Sequence, residues 1–320
     1  MNMEVQHMSD ENAKPMPMTR LQVGDVEVTS FIENRCYADG GSMFGVIPKV
    51  LWSKHIKCDR DNLIPLDTNL VLITVNHKRL LVDCGIGDLL SEKERKVYSC
   101  YTPGNLDACL GRLGLVTDDI DLVIPTHLHL DHIGGAFRGN NRGMTEPRFK
   151  SARYVIRQDE WNVAISPDQR SSISYPTDRL KSLAESGQVE FVSEDVEIVD
   201  NVWLKRTGGH TAGHQAIEVN CKEGTIICPG DMFPTTAHFK PAWVAAADLY
   251  PLQTMDYKYR IWCRASSENI ILALDHDLET KFAKLTIRND TPGFEKVGEP
   301  LLAVMESCSE NLRNNRKTAG

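Results

Sequence analysis

Apolar positions recur along the chain in two rhythms. GDVEVTSF alternates apolar and polar residues and predicts an opening strand. NLVLITV and RLLVDCG are short apolar runs on either side of Asn76-His77-Lys78, the pattern of a hairpin. Leu106, Leu110 and Leu113 keep helical spacing and stop at Gly114, which predicts a short amphipathic helix. DLVIPTH reads as a buried strand. RYVIRQ, VEFVS, NVWLKR, AIEVN, TIICPG, NIILALD and KFAKLTIR read as later strands. Helices are expected over 159–164, 177–186 and about 253–265. The strands fall into two batches, before and after the middle of the chain. That order predicts an α/β protein with two mixed sheets packed face to face and helices outside, an αββα sandwich. One domain is expected over 21–308, between flexible tails at 1–20 and 309–320.

Composition narrows the class. Hydrophobic residues make up 41% and charged residues 25%, which excludes a disordered, collagen-like or coiled-coil chain. A net charge of −8 argues against nucleic acid as a partner, since that binding needs a basic footprint. No run of about 18 apolar residues predicts a membrane span, and the first residues lack the apolar core of a secretory signal. The nine cysteines include no CxxC, and Cys84 and Cys228 sit in apolar runs. Reduced thiols in a cytoplasmic protein are therefore expected. The stretch ENRCYADGGSMFGVIPKVLW is too apolar for a solvated linker, and its run 43–52 is a candidate homodimer contact.

One segment changes the picture. Thr126-His127-Leu128-His129-Leu130-Asp131-His132-Ile133-Gly134-Gly135 places four potential metal ligands within six residues, directly after an apolar strand. Imidazole and carboxylate are the ligands that divalent zinc takes in catalytic sites. Alternation puts His127 and His129 on one side of an extended chain, within reach of one ion. Asp131 and His132 follow where the chain begins to turn, and Gly134 and Gly135 allow a sharp bend beneath them.

This run resembles the H-x-H-x-D-H of the metallo-β-lactamase-fold hydrolases. The resemblance extends to the strand end Leu81-Val82-Asp83-Cys84-Gly85, to Gly209-His210-Thr211-Ala212-Gly213-His214, to Cys228-Pro229-Gly230-Asp231 and to the strand running into His276. It implies the αββα sandwich and a pair of divalent ions, zinc first, with manganese and iron open. It implies one ion on His127, His129 and His214, a second on Asp131, His132 and His276, and Asp231 bridging them. Asp83 and His210 are expected to brace the loops by hydrogen bonds. The chemistry implied is attack on a lactone, carboxylic ester or phosphotriester by a hydroxide shared between the ions. Asp131, beside that nucleophile, is the expected proton carrier.

Within the superfamily the layout looks like the branch of acyl-homoserine lactonases and methyl-parathion-type hydrolases. That likeness makes Met43, Phe44, Phe233, His238 and Trp243 candidate pocket walls and implies a small substrate with an apolar acyl or aryl group. The lactonases of this branch carry a tyrosine three residues after the bridging aspartate. Pro234 stands there in this chain, leaving Tyr250 or Tyr257 as substitutes. Two other classes stay open: a binding or regulatory protein that keeps the metal site with little turnover, and an iron-dependent oxidation enzyme on the same scaffold.

Overall fold

A computed structural model describes residues 16–301 apart from 101, 103, 141, 142 and 290. The strands are β1 Met18–Val23, β2 Val26–Asp39, β3 Leu63–Val75, β4 Lys78–Val82, β5 Leu122–Ile124, β6 Phe137–Gly139, β7 Thr145–Pro147, β8 Arg153–Arg157 and β9 Val189–Val192. They continue with β10 Val196–Val199, β11 Val202–Arg206, β12 Gln215–Cys221, β13 Gly224–Cys228, β14 Ile270–Ala273, β15 Phe282–Arg288, β16 Thr291–Val297 and β17 Glu299–Pro300. One sheet has the order β17-β1-β2-β3-β4-β5-β8-β9 and the other β10-β11-β12-β13-β14-β15-β16, with β6-β7 as a small separate pair.

Alternation within single strands builds the layers. Leu80 and Val82 of β4 point into the core between the sheets, and Leu81 points out to the helices. In the same way Ile271 and Ala273 of β14 face the first sheet. Ile270 and Leu272 instead pack on Tyr257, Ile261 and Trp262 of the helix Pro251–Ala265. On the opposite outer face Leu106 and Leu110, Trp161, and Leu180 and Leu183 from three helices cover the first sheet. The architecture is therefore the expected αββα sandwich.

The pairings β4–β5, β5–β8 and β13–β14 are parallel, so these strands deliver their C-terminal ends to a common edge. Asp83, the 125–132 turn, Asp231 and His276 all follow such ends.

Two expectations change. Strand β1 begins at Met18, which is buried, so structure starts inside the span 1–20 assigned to a tail. The rest of that tail up to residue 15, and the whole of 309–320, lie outside the described residues. Cys36 and Cys100 form a disulfide, whereas thiols were expected throughout. Cys36 lies on the long strand β2 and Cys100 just past the helix Glu92–Val97, a meeting that local sequence does not encode. The other six described cysteines are free. Among the described residues, no helix is long and apolar enough to cross a membrane.

Candidate metal centre

The site begins with Asp83, a non-glycine residue held at φ +58° where β4 ends. Such strain persists only where the surroundings over-determine it. Here the carboxylate accepts the Thr126 N–H at 2.7 Å and the Thr126 hydroxyl at 3.0 Å, and it lies 3.0 Å from His132 Nδ1. Asp83 thus links the end of β4 to the turn that carries Thr126 and His132. Gly135 lets the turn close over it: a Cβ there would lie 2.0 Å from the Cys84 carbonyl oxygen.

Two sets of donor atoms converge. In the first, His127 Nε2 and His210 Nε2 each lie 3.0 Å from His129 Nδ1. Asp231 Oδ2 is 3.1 Å from His210 Nε2 and 3.9 Å from His127 Nε2. In the second, His132 Nε2 and His276 Nε2 are 3.3 Å apart. Asp231 Oδ1 lies 3.6 and 3.1 Å from them, so Asp231 offers one oxygen to each set. Asp131 sits at the rim, its Oδ2 3.9 Å from both imidazoles of the second set.

The donor cluster takes in His210 and leaves out His214, the reverse of the expected placement. His214 is fully buried, with Nδ1 2.6 Å from the Thr207 hydroxyl. Its Nε2 is turned toward Gly230, where a Cβ would sit 2.6 Å away. His210 instead reaches the donor cluster, because Gly208 and Gly209 turn the chain with φ of +62° and +84°.

Partners fix each ring. Asp248, 4% exposed, lies 2.8 Å from His210 Nδ1 and leaves Nε2 facing the cluster. The Asp67 carbonyl accepts from His276 Nδ1 at 2.9 Å. Buried Glu160 accepts from Leu128 N–H, the Thr211 hydroxyl and the Tyr175 hydroxyl, which ties the two histidine loops together. Asp248 and Glu160 were missed in the sequence, where nothing marks one acid among many.

Charge completes the fit to a cation. Burial, reinforced by neighbouring imidazoles, pulls His127, His129 and His214 well below the usual histidine range, so they stand as neutral donors. Burial also opposes the charge on His132 and His276, yet the carboxylates win. Asp83, Asp131 and Asp231 hold His132 well above its usual range, and Asp275 and Asp231 push His276 up to about 10. The anionic surplus that draws protons onto these rings would equally draw a divalent ion, and the two compete. Asp231 Oδ1 has no hydrogen-bond donor although it is buried. The neutral imidazoles of His127 and His129 and the shared carboxylate of Asp231 are a donor set that fits divalent metal.

Of the five expected pocket walls, four are buried in side-chain packing and Met43 is half-buried. Phe44, Phe233 and His238 are wholly buried. Phe44 stacks on Trp52 and on His238, with centroids 5.0 and 4.5 Å apart, and Trp243 and Met43 pack on the same cluster. His238 is spent on the Met43 carbonyl at 2.8 Å and the Thr235 hydroxyl at 2.8 Å. Met43, Phe44, His238 and Trp243 pack one another because the apolar 43–52 loop needs a cover of its own, whereas Phe233 packs on Phe239 and Tyr257 in the outer core. Tyr257 belongs to the outer core, so it is no substitute at the Pro234 position. Tyr250 is 43% exposed and its N–H is held by the Gly209 carbonyl. Tyr98, which no motif marked, hydrogen-bonds Ser174, and the Asp131 and Asp231 charges act on its phenol.

Comparisons with known proteins bear on the family and the fold. Residues 63–271 match the metallo-beta-lactamase superfamily. The N-acyl homoserine lactonase AiiA of Bacillus thuringiensis subsp. kurstaki is 23% identical over 255 residues, 77% of this chain and 90% of its own length. A probable metal-dependent hydrolase from Staphylococcus aureus superposes with a TM-score of 0.77 at 32% identity, covering 87% of this chain and 99% of that one. AidC, a dizinc quorum-quenching lactonase, superposes with a TM-score of 0.72 at 16% identity, covering 90% and 100%.

Proposed function

Because the chain belongs to the metallo-β-lactamase superfamily, with acyl homoserine lactonases among its homologues, we propose that it is a two-metal hydrolase of lactones, with carboxylic esters and phosphotriesters in the same chemical range. The observation that supports this reading is Asp231, whose two oxygens face two separate donor sets. His127, His129, His210 and Asp231 would hold one ion. His132, His276, Asp131 and Asp231 would hold the other. Zinc is the first choice on donor type, with manganese and iron as alternatives. When bound, a divalent pair supplies Lewis acidity, making water nucleophilic near neutral pH and polarising the scissile carbonyl or phosphoryl group.

The chain's own residues supply the rest. Asp83, Asp248 and the Asp67 carbonyl hold the imidazole tautomers, so that lone pairs and not protons face the centre. Asp131, with its side chain 23% exposed at the rim, is placed to take a proton from the attacking water and return it to the leaving oxygen. The substrate is a small molecule with an apolar acyl or aryl group. The free cysteines support a cytoplasmic setting and the Cys36–Cys100 bridge opposes it, so a thiol count on protein from reducing cells decides that point.

The test combines metal analysis with turnover of an N-acyl homoserine lactone, an aryl ester and a paraoxon-like triester. Two equivalents of metal are expected, with turnover of at least one substrate that His127→Ala abolishes. A protein that binds no metal and turns over none of the three refutes the proposal.

A further inference from the structure

Asp275 follows β14 and precedes His276. It is 7% exposed, and neither of its carboxylate oxygens has a hydrogen-bond partner. Its main chain is not loose: the Asp275 carbonyl accepts from Asn69 N–H at 2.7 Å, and Asn69 Nδ2 bonds the Leu274 and Asp277 carbonyls on either side. The fold therefore holds an unpartnered acid in a buried place, which is costly unless something neutralises it. Its Oδ2 lies 3.8 Å from His276 Nε2 and 3.9 Å from His132 Nδ1. Donor atoms of His132, Asp231, Asp275 and His276 gather within 4.8 Å of one another. Among the described residues, its ion-pair partners are those two imidazoles, and no lysine or arginine pairs with it. Asp83, Asp131 and Asp231 already concentrate negative charge on the same side.

We propose that Asp275 is a further acidic group of the second cation position, adding its carboxylate to His132, His276 and Asp231 and raising that position's affinity for a hard divalent ion. The inference rests on the two-metal reading above. An added anionic oxygen favours manganese or ferrous iron more than it favours zinc, so the two positions would differ in metal preference, the imidazole-rich one being the softer.

The experiment is a competition titration of metal-depleted wild type and Asp275→Asn with zinc and, separately, manganese against a chromophoric chelator. Thermal unfolding of both metal-depleted proteins accompanies it. The first equivalent is expected to bind alike in the two proteins. The second is expected to weaken by about 10- to 100-fold in the variant, more for manganese than for zinc. The metal-depleted variant is expected to melt no lower than wild type, because asparagine removes a buried carboxylate that accepts no hydrogen bond. Asp275→Glu should recover part of the lost affinity. If the asparagine variant does not fold, Asp275→Ser takes its place with the same expectation for the second equivalent. Unchanged binding of both equivalents, or a lower melting temperature with the second equivalent intact, overturns the proposal. A wild type that takes up no metal refutes the two-metal reading itself. Two tight equivalents in wild type and variant alike refute only the part given to Asp275.

Discussion

Replacing Asp248 by asparagine tests how the first donor set is built. The carboxylate lies 2.8 Å from His210 Nδ1, and both side chains are almost wholly enclosed, at 1% and 2% exposure. With aspartate, a metal-bound ring would keep its proton on Nδ1 and present the Nε2 lone pair on the side of His129 and Asp231. An asparagine amide can donate to Nδ1 instead, which moves the ring proton to Nε2 and removes one donor from the set. Losing such a brace lowers metal affinity by about 10- to 100-fold. At about 1.4 kcal/mol per decade that is roughly 1.4–2.8 kcal/mol. It agrees with the ~1–3 kcal/mol lost when a buried polar group is left unsatisfied. The assay is chelator competition for the two equivalents, with His210→Ala and His214→Ala measured alongside. Asp248→Asn and His210→Ala should weaken one equivalent, and His214→Ala should retain both while losing stability. Retention of metal by His210→Ala together with its loss from His214→Ala would refute the assignment.

Other outcomes follow from the same geometry. Chelation should lower the melting temperature, since an ion present at a thousand times its Kd stabilises the folded chain by about 4 kcal/mol; an unshifted melting curve counts against a resident metal. Burial, aided by the Lys258 charge, holds His238 down to about 3, below its usual 6.5. The folded chain therefore binds fewer protons than the unfolded one between those values, and stability is full above 6.5 and falls as pH drops toward 3, by up to about 1.4 kcal/mol per pH unit. His238→Gln should flatten that slope in denaturant titrations of metal-depleted protein, and an unchanged slope contradicts the neutral buried ring. Phe44→Ala should cost about 3–5 kcal/mol of stability, as for a core aromatic, and leave KM of surviving folded enzyme near wild type; a selective rise in KM would return Phe44 to the substrate pocket.

What could be read from the chain and what could not divide along one physical line, the distance over which an interaction is encoded. The strands β4, β13 and β14 were legible because each buries both faces and so reads as a short continuous apolar run, a signal carried locally. The strand β16 was not: Thr291–Val297 lies at a sheet edge, exposes most of its residues and carries Pro292 and Gly293, so no alternation marks it. The run from His127 to His132 was legible because four donors fall within six residues. The choice between His210 and His214 was not, although they are four residues apart. It depends on two left-handed glycines before His210, on Thr207 capturing His214, and on Asp248 arriving from 38 positions away. The apolar loop 43–52 announced that it needed cover but not which cover, and the fold supplies His238 and Trp243 to it and not to a substrate. A motif names the atoms that can bind a cation. The carboxylates and hydroxyls behind the rings decide which of those atoms do, so the braces Asp83, Asp248 and Thr207 carry the assignment of this site as much as the histidines they hold.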